Sequence, residues 1–149
     1  MNGEAMMIIV VAIIIGLIPT IFFLITLQNT LKKVSAKNRT MPPGQVWIQL
    51  IPLVGIVWAF VNVIRISDSL HAEFSERGID VGSARPGFQI GMAYAICFIA
   101  SNIPILGILA AIGGIVCWII YWVKIHNYGK LLPDPSRSLN VLDTEEYRR

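Results

Sequence analysis

The chain has 149 residues, 55% of them hydrophobic and 14% charged, with a formal net charge of +3 and a mean hydropathy of +0.67. A soluble domain is about a quarter charged, so this composition argues against an ordinary water-soluble globule. The positive balance is not arranged as a basic stripe with interleaved aromatics, so nucleic acid is not an expected partner, and the charge reads as membrane-flanking.

The charges are confined to short segments. None lies between Glu4 and Lys32, between Arg39 and Arg65, or between Arg85 and Lys124. A hydrocarbon core ~30 Å thick is crossed by about 20 apolar residues in a helix. The first charge-free stretch therefore predicts a span over 5–27. It carries Glu4 where a leader has a basic region, and "FLITLQNT" offers no small-residue cleavage site, so it reads as a retained span. The second stretch predicts a span over 46–64. The third, 88–123, would make one helix ~54 Å long, too long to cross even when tilted. It reads as two short spans, 88–103 and 105–123, folded back at "SNIPILG". There Ser101 and Asn102 compete for backbone hydrogen bonds, Pro104 breaks the ladder and Gly107 permits a bend. The expected fold is all-α: a compact bundle of four transmembrane helices over 1–132, followed by a polar tail over 133–149.

Beyond Arg65 the apolar residues fall at helical spacing, at Ile66, Leu70 and Phe74, with Asp68, His71, Glu73, Glu76 and Arg77 between them. This predicts an amphipathic extension of the second helix, ended by Gly78. A similar extension, "VKIHNYGKLL", follows the fourth. The first extension and the tail residues Leu139 and Tyr147 are candidate surfaces for docking a partner.

"IPLVG" from Ile51 and "IPILG" from Ile103 repeat one pattern, and "LIPTIFF" from Leu17 echoes it. Each proline is read as beginning or kinking an apolar helix. "PPGQVW" and "RPGFQI" form a second echo, with Pro-Gly before a helix. Small residues recur along the spans at Gly55 and Ala59, at Gly87, Gly91 and Ala95, and at Gly107, Ala111 and Gly114. Such residues let backbones approach closely in a membrane, so these are the expected helix-packing positions.

No ionisable residue falls inside an expected span, and ion pathways and intramembrane catalysis usually need one. Gln49, Asn62 and Gln89 are the main buried polar candidates. Cys97 and Cys117 form no CxxC motif, and His71 and His126 stand alone, so no metal, cofactor or catalytic set is expected and the chain is not read as an enzyme. Lys32, Lys33, Lys37 and Arg39 lie in the first loop. The larger number of bases lies on the opposite side of a four-span layout, which places both termini in the cytoplasm.

"NRTMPPGQVW" and "CWIIYWVKI" are the most specific segments of a resemblance that reaches to Leu132. By these segments the chain resembles a family of small uncharacterised bacterial integral membrane proteins. The resemblance implies a multi-pass location in the bacterial cytoplasmic membrane and supplies no activity. The functional expectation is a non-catalytic accessory or scaffold subunit of a membrane complex, partnered by lipid and by other membrane subunits or its own copies. The alternative is a small homo-oligomeric channel whose pore is built from groups such as Gln49, Asn62 and Gln89.

Overall fold

The computed structural model describes residues 3–104 and 106–134. The candidate docking residues Leu139 and Tyr147 lie outside them. Among the described residues the chain is all helical: α1 (Gly3–Lys33), a 3₁₀ segment (Pro43–Leu50), α2 (Val54–Arg77), α3 (Phe88–Ala100) and α4 (Gly107–Leu131). In hydrocarbon a helix satisfies its backbone polar groups internally, and the uninterrupted apolar run after Glu4 suits that state. Pro19 sits inside α1 and neither begins nor ends it. The Thr20 hydroxyl donates to the Gly16 carbonyl at 2.8 Å in the turn beside it.

Among the described residues two helices, not four, are long and apolar enough to cross a membrane: α1 with 31 residues and α4 with 25. The four-span expectation is corrected on two points. α3 has 13 residues and reaches only ~20 Å. The predicted span 46–64 is not one helix but two antiparallel pieces. The 3₁₀ segment runs down, the chain turns at 51–53, and α2 runs back up. Three contacts fix this direction. Gly55 meets the Gln49 carbonyl, Trp58 Nε1 donates to the Gln45 carbonyl at 2.7 Å, and Asn62 Nδ2 donates to Gln49 Oε1 at 2.7 Å. Pro52 offers no N–H to continue a helix, and Leu53 takes φ 66°, a left-handed value uncommon for a side chain of its size.

The repeated motif thus marks two hairpin apices. A Cβ on Gly55 would fall on the Gln49 carbonyl oxygen, and one on Gly107 would lie 2.9 Å from the Ser101 carbonyl oxygen. In both cases the obstructing carbonyl stands at the same sequence offset. The second echo marks the descending arms, since "PPGQVW" opens the 3₁₀ segment and "RPGFQI" opens α3. Each hairpin returns in a helix of similar length, 24 residues in α2 and 25 in α4.

α3 packs between α2 and α4. The first hairpin leans on α1, which runs parallel to α4. Trp122 Nε1 donates to Thr26 Oγ1 at 2.8 Å, and Lys33 Nζ donates to the Gly129 carbonyl at 3.2 Å. Phe23 sits at the centre of the core, with Tyr94, Trp118, Tyr121 and Trp122 around its ring at centroid distances of 5.4–6.2 Å. Of the expected packing positions, Gly91 and Ala95 are buried on α3 and Ala59 on α2. Gly114 meets Cys97 across the α3–α4 pair, and Ala111 is half-buried. Gly55 and Gly107 serve their own apices, and Gly87 caps α3 against Tyr121 and Ile125. Gly129, where α4 crosses Thr30 of α1, was not among the expected positions.

A Cβ on Gly91 would lie 2.7 Å from Val63 and 2.8 Å from Tyr121. Gly91→Leu is therefore expected to lower stability in detergent by about 1–3 kcal/mol, the cost of overpacking. Thermal unfolding measures this, and an unchanged midpoint would show that α3 does not pack there.

Ile66, Leu70 and Phe74 are buried in the common core, which corrects their reading as a partner-docking surface. Phe74 meets Tyr128 of α4 edge to face at 5.8 Å, so the two extensions pack on one another. α1, α2 and α4 all finish at the same end of the molecule, and the described charges other than Glu4 gather there. Gly3 and Leu131 consequently lie at opposite ends of the described molecule. Over residues 6–18, α1 exposes apolar side chains on every face.

Candidate functional site

Among the described residues, three places gather polar or accessible groups. The first joins the loop after α1 to α2. Glu73 is 1% exposed, and its carboxylate accepts from Ser35 N at 3.0 Å, Ser35 Oγ at 2.8 Å, Asn38 Nδ2 at 2.7 Å and Arg77 Nε at 2.7 Å. Burial pushes its carboxyl pKa up, but the bonds from Asn38, Ser35 and Arg77 outweigh burial and hold it at about 2. Glu76 beside it, paired with Lys37 and bonded to Asn38, is also held below the usual carboxylate range.

The segment "NRT" ties three elements together. Asn38 bonds both glutamates of α2. Arg39 Nη2 donates to the Lys32 and Val34 carbonyls at 3.3 and 2.9 Å, closing the end of α1. Thr40 Oγ1 donates to the Arg65 carbonyl at 2.8 Å. Met41 and Val46 then enter the core. These contacts account for the segment physically, as a latch that holds the first hairpin against α1.

The second place is an apolar cleft of about 710 Å³ between the two apices and the face of α1 that carries Gly16 and Thr20. Gln49 and Tyr94 line it, with Gln49 Nε2 donating to the Tyr94 hydroxyl at 3.4 Å. Asn62 supports Gln49 from behind. Cys97 also lines the cleft and is a free thiol. Two of the three polar groups expected to line a pore are therefore bonded to each other inside one chain, while Gln89 lies exposed on α3.

The third is a notch of about 570 Å³ between the ends of α1 and α4, lined by Asn29, Thr30, Lys32, Lys33, His126, Lys130 and Asp134 among others. His71 stands exposed on α2. Among the described residues no group of three or more His, Cys, Asp or Glu side chains is placed to hold a metal ion.

No family model, curated protein or solved structure matches the chain. Gln49 of the cleft is a polar candidate in the sequence; the latch and the notch are not singled out there. Asn38 and Glu73, or Lys33 and Lys130, are distant in the chain. The one signal for the notch is that α1 and α4 each end an apolar run in lysines.

Proposed function

We propose that this chain is a non-catalytic subunit of a larger assembly in a bacterial cytoplasmic membrane. In this reading α1 threads the bilayer, and both hairpins enter from the basic end and return to it. The bases at that end support a cytoplasmic location for it by the positive-inside rule, with the N-terminus on the other side. The observation that carries the reading is the unpartnered first half of α1, with the open cleft at its foot. Residues 6–11 and 13–18 are exposed, while Phe23, Leu24, Leu27 and Leu31 are buried and Thr30 and Lys33 bond to α4. Helix association in lipid gains from close packing of shape, and an exposed helix beside a cleft offers that shape to a transmembrane helix of another subunit. The alternative of a homo-oligomeric channel is disfavoured by the Gln49–Asn62 bond, which occupies the groups a pore would present.

Photo-crosslinking from Ile15 in native membranes tests this. The expected product is an adduct of one defined mass with a different membrane protein. A ladder of self-adducts would favour the channel, and adducts with lipid alone would overturn the subunit reading.

A further inference from the structure

We infer that the notch between the ends of α1 and α4 binds the headgroup of an anionic phospholipid. The two helices run parallel and finish together, which places Lys32 and Lys33 of α1 beside Lys130 and His126 of α4. The polar floor is made by Asn29 and Thr30. Lys33 is partly committed, since it donates to the Gly129 carbonyl at 3.2 Å and lies 4.0 Å from Asp134 at the rim. Lys32 and Lys130 are exposed at the mouth, and neither has an acidic partner among the described residues. Asp134 is the one acid in the lining, so the site keeps a positive excess.

What lies below the notch selects a lipid over a soluble anion. One turn toward the middle of the bundle, Trp122 donates to Thr26 and closes the polar floor. On the same helix faces, a turn or so farther, come Phe22 and Ile119, which are 58% and 48% exposed. A headgroup phosphate seated among the lysines would therefore have its acyl chains laid against exposed apolar side chains. Basic pockets between transmembrane helices on the cytoplasmic side are suited to such headgroups, and each lysine near an anionic surface contributes measurably to retention. The inference rests on the membrane placement proposed above and is independent of whether α1 docks another subunit.

The test uses the full chain reconstituted in nanodiscs of phosphatidylcholine with a minor share of phosphatidylglycerol, with retained lipid counted by native mass spectrometry. The wild type is expected to retain phosphatidylglycerol about tenfold over its share, and the Lys32→Gln/Lys130→Gln double variant to lose that preference, each lysine counting for a few-fold. Lys124→Gln, which removes a base outside the notch, is expected to keep it. Asp134→Asn is expected to strengthen it, an opposite change that a folding defect would not produce. No preference in the wild type, or an equal loss in Lys124→Gln, would overturn the site. Displacement of the lipid by millimolar inorganic phosphate would assign the notch to a soluble anion and overturn the lipid. A chain that fails to enter nanodiscs would instead overturn the membrane placement, a result distinct from failure of the site.

Discussion

Gly55→Ala is expected to be the most damaging single-methyl change in the molecule, lowering stability by about 3 kcal/mol or more, the upper range for overpacking that no rotamer can relieve. The added Cβ would fall on the Gln49 carbonyl oxygen, which is backbone, so the side chain has nowhere to turn. The apex has little slack on either side. Gly55 N donates to the Ile51 carbonyl at 2.6 Å, and Leu53 already holds a positive φ, itself a cost of about 1–3 kcal/mol. The second apex supplies a graded comparison. Gly107→Ala places its Cβ 2.9 Å from the Ser101 carbonyl oxygen and should cost less. Gly113→Ala, with only Cys97 Sγ at 4.0 Å, should be neutral or slightly stabilising, since alanine favours helix over glycine. Thermal midpoints of the three variants in one detergent check the order, and a Gly55→Ala midpoint equal to wild type would remove the first apex as drawn.

The second large effect belongs to Glu73. Glu73→Gln keeps the shape but exchanges an oxygen acceptor for an amide donor that faces the donors of Ser35, Asn38 and Arg77. Hydrogen bonds to a charged group contribute about 1.5–3 kcal/mol, so a loss of about 2–3 kcal/mol is expected. The carboxyl pKa falls from 4.5 to about 2 on folding. The unfolded state therefore binds the proton first. The stabilisation is fully present above the unfolded value and is lost as pH falls from about 4.5 toward 2. Glu76 acts in the same direction from an exposed position and should contribute less. Unfolding midpoints at about pH 7 and about pH 3 separate the cases. Wild type should lose more on acidification than Glu73→Gln, and parallel losses would show that the latch does not titrate.

How much of this was legible in the sequence depends on what each signal measures. Absence of charge marks apolar length, and it located α1, α4 and the fold-back near Gly107. It carries no direction, so 46–64 read as one span although the chain reverses at 51–53. Pro52 was visible, but the positive φ of Leu53 has no signature in a leucine. Helical spacing showed that Ile66, Leu70 and Phe74 share a face. It did not show what covers that face, because Val34, Met41 and Tyr128 arrive from distant segments. The recurrence of Ile-Pro-x-x-Gly was visible as a pattern, and its meaning appears only when both glycines are seen against a backbone carbonyl. The notch was the least legible, because a lysine after an apolar run looks the same whether it meets another helix or water.

The gathering of the described charges at one end has a consequence for how the protein is made. In a bundle of alternating spans, every second loop must be translocated with its charges. If the chain sits in the membrane as proposed above, Glu4 is the one described charge that leaves the side of synthesis. In that placement both hairpins enter the lipid apex first, leading with Leu53 and the uncharged turn before Gly107, while the charged ends of their arms stay in water. Moving a charged side chain through the bilayer centre costs at least about 2.5–3.5 kcal/mol. In the placement proposed above, Glu4 is the one described charge on the far side, so among the described residues that cost arises once.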